Sequence, residues 1–464
     1  RIDAAALGLV LLVYGVFLSC TFLEADEDLW GRMAMGRLIV STGEIPRQDV
    51  FAYVPTKPLW IDHEWLAGLV FYGVYGHLGG AGLVLLRLGL GLAALSFAYR
   101  AGRLAGGAPF AVSGVALAVS PLLLQGFNTV VRAQAFSFLF FAFFLAVLEN
   151  GERRWLPLLV VASALWVNLH GGVVTGLLVL AVYAIFDRRL LVVSSLVLLA
   201  TLANPYGCSY WSYLTDALTM PRPEIVEWRS VNLAGLEDVH LKLATGLVAL
   251  AVGFGRPRAW HRVLVLLGTL GATLFHVRFA PFLAIAAIVV LPGMLRSMFE
   301  WGARGFPRRW VPSLVPLAAM LILQALGLIG LAVAWQRRDR PLRMAVRESR
   351  YPVAAVERLT ELGASGRLAV FFNWGEYALY HLYPRLRVSI DGRYETVYTD
   401  DVVTANWELT FGRSGARRFL DEYGADFALY PARGGAAQWL SRASDWELVF
   451  EDELAALYRQ LESR

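Results

Sequence analysis

The run AAALGLVLLVYGVFLSCTFL at 4–23, followed directly by Glu24-Ala25-Asp26-Glu27-Asp28-Leu29-Trp30, decides how this chain is read. An uncharged stretch of this length matches the roughly 20 residues a helix needs to cross a hydrocarbon core, and carboxylates begin where that helix leaves it. Further apolar runs at 80–99, 109–126, 133–149, 155–169, 171–186, 190–204, 239–254, 261–275, 280–296 and 311–335 bring the expectation to about eleven crossings. Composition agrees: of 464 residues, 57% are hydrophobic and 17% charged, and mean hydropathy is +0.53, which is too apolar for a water-soluble chain of this size. The first run has no Ala-x-Ala-type site and reads as an anchor, not a cleaved signal.

Net charge is +5, and its placement sets the topology. Threading the runs alternately puts Arg100/Arg103, Arg153/Arg154, Arg188/Arg189, Arg256/Arg258/Arg262 and Arg296/Arg304/Arg308/Arg309 on one face, which the positive-inside rule makes cytoplasmic. The other face receives the acidic loop Glu24 to Glu64, the corners at Arg132, His170 and His276, the segment Asn204 to His240, and everything after 336. The stretch 64–79 is apolar but short and glycine-rich, so it reads as an interfacial or re-entrant helix. Two domains are expected: 1–335, a transmembrane domain including the acidic loop 24–64, and 336–464, a soluble extracytoplasmic domain. In the second, Leu368 to Phe372, Arg387 to Ile390, Phe427 to Tyr430 and Trp446 to Phe450 alternate with helical stretches, which suggests a small α/β fold. Cys20 and Cys208 both fall near outer helix ends, where an oxidising compartment permits a bridge.

The chemistry-bearing residues gather on the outer face. Carboxylates at a membrane edge face a cavity, a cation or a partner, or form a solvated loop. Asp26 and Asp28 can act as base or bind a divalent metal through oxygen, with His63 and Glu64 completing the shell. Arg132, His170, His276 and Arg278 stand at short helical corners, where arginine clamps a phosphate or meets lipid headgroups. In the long segment after Asn204, Glu224, Glu227 and Trp228 offer carboxylates and a ring to a sugar, or form a structural plug. Trp374, Glu376, Asp391 and Arg393 follow predicted strands, a favoured place for ligand contacts, though turn chemistry explains the neighbouring glycines equally well. Zinc spacing, a serine-hydrolase elbow, a P-loop and a nucleic-acid-binding stripe are missing from the sequence.

One span, an acidic extracytoplasmic loop, many further spans and an outer C-terminal domain resemble the GT-C superfamily of membrane glycosyltransferases. Asp26-Glu27-Asp28-Leu29-Trp30, Gly43-Glu44-Ile45-Pro46, His63-Glu64-Trp65, Asn168-Leu169-His170-Gly171-Gly172, Asn204-Pro205-Tyr206-Gly207 and Asp391-Gly392-Arg393 also resemble a bacterial group of GT-C-like proteins. The resemblance implies a fold of about eleven transmembrane helices in the bacterial inner membrane and inverting transfer of a sugar from a polyprenyl-phosphate or -diphosphate donor. It also implies a divalent metal, Mg or Mn, with Asp26 and Asp28 as base or metal ligand by position. Asn373-Trp374-Gly375-Glu376-Tyr377 is distantly similar to the acceptor-binding Trp-Trp-Asp-Tyr-Gly signature of oligosaccharyltransferases, without implying asparagine glycosylation. Gly31-Arg32 stands where the bacterial group often has Trp-His, and Arg132-Ala133-Gln134 where it has Arg-Pro-Gln, which leaves room for a specialised or inactive member.

The expected function is a glycosyltransferase in which Asp26 or Asp28 deprotonates an acceptor hydroxyl while Arg132, Arg278, His276 and His170 hold the donor phosphate. The alternative is a non-catalytic accessory or scaffold subunit of a membrane assembly, docking protein partners through the C-terminal domain. A transporter ranks last, because it needs ionisable residues at mid-membrane and the spans are almost free of them.

Overall fold

The structure is a computed structural model and describes residues 2–20, 24–127, 130–219, 226–235, 237–255, 259–302 and 344–461. The chain divides into two compact units, one formed by 1–23 and 80–343, the other by 24–79 and 344–464.

The first unit is helical. It contains α1 (Ile2–Cys20), the second half of α3 (Trp65–Leu104), α4 (Pro109–Ala118), α5 (Ser120–Gln125), α6 (Gln134–Asn150), α7 (Pro157–Leu169), α8 (Val173–Phe186), α9 (Leu190–Ala200), α10 (Ser209–Thr219), α11 (Val239–Phe254), α12 (Trp260–Phe275) and α13 (Ala280–Gly302). Among the described residues, Trp65–Leu104 and Val277–Ser297 are long and apolar enough to cross a membrane, while Ala6–Gly15 and α4, α6, α8, α9, α11 and α12 are shorter apolar helices. The expected run at 311–335 lies outside the described residues.

Apolar on every side, α13 takes the central place: each residue from Ala280 to Pro292 is buried, and α4, α5, α6, α11 and α12 pack around it. Gly102 lets α3 approach so closely that a Cβ there would lie 2.6 Å from the Ile288 carbonyl oxygen. Polar ties fix the ends. Tyr14 donates to the Ala116 carbonyl at 2.7 Å, and Arg262 holds the buried Glu149 through Nε at 2.9 Å and Nη2 at 2.5 Å. Arg87 is an exception to the expectation of nearly charge-free spans: it is 1% exposed within α3 and donates to the Phe127 carbonyl at 3.0 Å. Cys208 is an exposed free thiol.

The second unit is built on a five-stranded mixed sheet of order β2-β1-β3-β5-β4, with β1 Gly366–Val370, β2 Leu386–Val388, β3 Phe427–Pro431, β4 Trp446–Glu451 and β5 Ala455–Gln460. β1 runs parallel to both β2 and β3, so the connection reverses direction at the carboxyl ends of these strands. β5 and the helix Asp400–Thr410 go beyond the runs read from sequence, since the Ala-Ala start of one strand and the Val-Val-Thr of the helix oppose local propensity.

The unit boundary differs from the expected one, because residues 24–79 group with the α/β unit and not with the spans. The reason is aromatic burial. α2 (Glu27–Thr42) packs on the helix Gly375–Leu382, and Trp30, 2% exposed, sits 5.2 Å from the Tyr377 ring and 5.3 Å from the Tyr380 ring. Phe51 and Trp60 are equally buried, and the Phe51–Tyr53 backbone pairs with Val388 through bonds of 3.1 Å, extending the sheet beyond β2. The apolar helix after Trp65 breaks at Gly79 (φ 59°, ψ −157°), a conformation only glycine adopts readily, which separates 65–78 from the next span as the sequence suggests.

Candidate active site and donor-phosphate residues

In the second unit the acidic stretch becomes the start of α2. Asp26 is its N-cap: with extended backbone, it accepts from the Asp28 amide at 3.1 Å and is 2% exposed. Asp28 lies in the first turn, exposed, where the helix dipole favours a carboxylate. Glu27 pairs with Arg350 at 2.9 Å and Glu24 with Arg347.

One turn on, Arg32 reaches Asp62 at 2.7 Å and Glu64 at 2.8 Å, and His63 Nε2 stands 3.3 Å from Glu64. Burial alone would lower the Arg32 pKa, but Glu64 and Asp62 outweigh it and hold the guanidinium charged. The donor set read from the acidic loop for a divalent metal is Asp28, His63 and Glu64. Among the described residues no group of three or more His, Cys, Asp or Glu is gathered to hold a metal, and Glu64 instead faces Arg32. The reaction proposed for this chain is derived without a step through a metal.

Glu376 is the unusual member. It is 2% exposed, and its carboxyl lies against the face of α2, accepting from the Gly31 amide at 3.2 Å. A Cβ on Gly31 would lie 2.4 Å from Glu376 Cδ, and one on Gly375 2.1 Å from the Ile390 carbonyl oxygen. From a Cβ position on Gly392, Glu376 Oε1 is 3.0 Å and Asp28 Oδ1 3.6 Å away. Burial first, then the charges of Asp28 and Asp391, push the Glu376 carboxyl well above the usual carboxylate range, against the pull of Arg32 and Arg393.

Trp374, Asp391 and Arg393, expected at an acceptor, are buried as well. Arg393 bonds Asp391 through Nε at 2.8 Å and Nη2 at 2.6 Å, reaches Asp49, and stacks 4.7 Å from the Trp60 ring and 5.0 Å from Phe51. Tyr398 donates to Asp391 at 2.6 Å. Although burial opposes ionisation of Asp391, Arg393 holds it below its ordinary value. Trp374 donates to the Arg350 carbonyl at 2.9 Å. Sequence reading did not join Asp49 and Tyr398 to this cluster, because no local spacing links residues so far apart in the chain.

In the first unit, three of the expected phosphate ligands meet at one turn. Arg132 pairs with Glu227, Arg278 lies 4.5 Å over the Trp228 ring, and His276 Nδ1 donates to the Trp228 carbonyl at 2.6 Å. The Gln134 amide oxygen accepts from Arg278. His170 has its own setting: its Nδ1 accepts from the Gly172 amide at 2.9 Å and from the Ser137 hydroxyl at 2.7 Å, which places the neutral ring's proton on Nε2. Asn168 donates to the Ala203 carbonyl at 2.7 Å and Asn204 accepts from the Tyr206 amide at 2.8 Å, so these two motifs serve as helix corners. Glu224 lies outside the described residues.

No protein-family model matches the chain, and no curated protein matches it. Solved structures do. Arabinofuranosyltransferase AftD from Mycobacteria superposes with a TM-score of 0.59 at 14% identity over 99% of this chain, which spans only 40% of that protein's length. ArnT from Cupriavidus metallidurans, bound to undecaprenyl phosphate, gives 0.54 at 15% identity, covering 99% of this chain and 98% of the other. The apo oligosaccharyltransferase of Archaeoglobus fulgidus gives 0.62 at 12% identity, over 92% and 69%. Similarity that runs through nearly the whole chain in three different glycosyltransferases establishes a GT-C-like fold for this protein.

Proposed function

We propose that the chain is an inverting glycosyltransferase of the multi-pass cytoplasmic membrane that moves a sugar from a polyprenyl-phosphate donor to an extracytoplasmic acceptor. The observation that carries the reading is the exposure of Asp28: among Asp26, Asp28, Asp49, Asp62, Glu64 and Asp391 it alone is exposed, at the first turn of α2. Asp28 accepts the acceptor hydroxyl's proton as the new oxygen–carbon bond forms at the anomeric centre and the carbon–oxygen bond to phosphate breaks. The leaving polyprenyl phosphate carries the negative charge, which Arg132, Arg278 and His276 receive, with His170 contributing through its ring. The similarity to a structure bound to undecaprenyl phosphate supports a donor of this lipid class. The arginine clusters read from sequence support eleven spans with the C-terminal unit outside the cell, which cysteine labelling from either side of intact cells checks.

The test is sugar transfer by the purified chain in nanodiscs, supplied with a panel of polyprenyl-phosphate sugars and hydroxyl acceptors. Asp28→Asn should lower the rate by about 100-fold or more, while Asp26→Asn, which preserves an N-cap, should keep most of it. Full transfer by Asp28→Asn removes the assignment of the base.

A further inference from the structure

Glu376 has one oxygen engaged and one turned toward an opening. Oε2 accepts from the Gly31 amide at 3.2 Å, and among the described residues this is the only hydrogen bond the carboxyl takes. The cations that act on it are committed elsewhere, Arg32 to Asp62 and Glu64, and Arg393 to Asp391 and Asp49. Carboxyl oxygens on a side chain only 2% exposed ordinarily each have a partner.

Oε1 faces Gly392 instead. That glycine is exposed, and the point where a Cβ would stand is 3.0 Å from Glu376 Oε1 and 3.6 Å from Asp28 Oδ1. Gly392 is not among the glycines with positive φ, so its backbone conformation is open to other residues. What the missing side chain supplies is room: a notch with Glu376 at its floor and Asp28 at its rim. The sheet places the notch. Glu376 follows β1 and Gly392 follows β2, parallel neighbours paired through Leu368 and Val388, and the carboxyl ends of parallel strands are where open α/β sheets take ligands.

The two carboxyls differ in what they offer. Burial and the charges of Asp28 and Asp391 keep Glu376 protonated, so it donates a hydrogen bond, while Asp28 accepts one. A donor and an acceptor side by side complement a group that accepts and donates from one atom, which is a hydroxyl. A phosphate or carboxylate would be repelled by Asp28, a cation would draw on two charged carboxyls, and an apolar group would leave Oε1 unmet. We propose that the acceptor's reacting hydroxyl enters the notch at Gly392, where Glu376 donates a hydrogen bond to its oxygen and Asp28 accepts its proton. This rests on the reading of Asp28 as base. As the hydroxyl proton passes to Asp28, the oxygen bonds the anomeric carbon and the bond from that carbon to the phosphate oxygen breaks. Glu376 keeps its own proton throughout and fixes the direction from which the oxygen attacks.

The experiment uses the full chain in nanodiscs. Diazoacetamide, a small reagent that esterifies protonated carboxyl groups, reads the notch without any need of transfer when the modified residues are located by mass spectrometry. Glu376 should be esterified in the wild type and in Asp28→Asn, and about tenfold more slowly in Gly392→Ala, whose Cβ stands in front of Oε1. An unmodified Glu376, or equal rates with glycine and alanine at 392, overturns the proposal. In the transfer assay, Glu376→Ala and Gly392→Ala should each lower kcat/KM for the acceptor by about tenfold, the scale of one hydrogen bond, with the donor KM unchanged. Glu376→Gln, whose amide still donates, should recover most of what alanine loses. Glutamine as poor as alanine, the result of a site that needs a charge at 376, overturns the proposal, as does a loss carried by the donor KM. Full transfer by Asp28→Asn, with Gly392→Ala still slowing both esterification and transfer, would remove the base and leave the notch standing.

Discussion

Replacing Gly31 by alanine isolates the closest contact in the candidate site. The three nearest atoms to the added Cβ are Glu376 Cδ at 2.4 Å and its two oxygens at 2.6 and 2.7 Å. The carboxyl must withdraw by about 1 Å to reach ordinary van der Waals distance, and its backbone cannot follow, because Gly375 is already wedged against Ile390 and Asp391. Overpacking of this kind costs about 1–3 kcal/mol, and losing the Gly31 amide bond to Glu376 adds about 1 kcal/mol. Alanine's better helix propensity returns about 1 kcal/mol. The net, about 2 kcal/mol, corresponds to roughly 30-fold faster local opening. Hydrogen-exchange mass spectrometry on the full chain in nanodiscs reads that opening over residues 27–42 directly. In a Glu376→Ala background the clash is gone and only the propensity gain survives, so the same Gly31→Ala change should slow exchange. An equal effect in the two backgrounds would refute the claim that Glu376 fills the space a side chain at 31 would need.

Other consequences follow from the same charges. Glu376 has its pKa raised in the folded state, so its protonated form adds stability that is complete below the ordinary value of 4.5 and is lost as pH rises toward the folded pKa. Glu376→Gln cannot lose a proton, and its thermal stability relative to wild type should climb as pH rises above 4.5 and stay flat below it; a pH-independent difference would contradict this. Arg393→Ala strands Asp391 and Asp49 in the interior and should cost about 3–5 kcal/mol, visible as rapid exchange at β2 and 49–60; an effect confined to the surface range of about 0.5 kcal/mol would show that the cluster is solvated. Asp26→Ala should lose about 1 kcal/mol of helix stability and Asp26→Asn almost none, measured by exchange at the first turn of α2. Arg132→Ala should weaken binding of farnesyl phosphate by about tenfold, the scale of one charge-assisted bond, and unchanged binding would detach Arg132 from the donor.

The helices of the first unit were legible because each follows a continuous apolar run, and in such a run a helix satisfies every backbone group within the segment whatever its neighbours do. The helices found at 134–150, 157–169, 173–186, 239–254 and 260–275 fall within a few residues of the expected limits. Strands β1, β3 and β4 were legible for the same local reason. The carboxylates at 24–28 also stood out locally, because they follow directly on a long apolar run.

What the sequence by itself determined is therefore a helical chain with a C-terminal α/β segment and two groups of candidate residues. Only the tertiary structure decided that residues 24–79 belong with the α/β unit, that Asp26 caps while Asp28 faces out, and that Asp391 and Arg393 bind each other. The same holds for Glu376, whose environment is made by Gly31, Gly375 and Gly392 from three separate segments. The physical reason is range: an apolar run is a property of neighbouring residues, whereas burial, charge matching and ring stacking depend on partners hundreds of positions away, whose meeting depends on packing and not on local pattern.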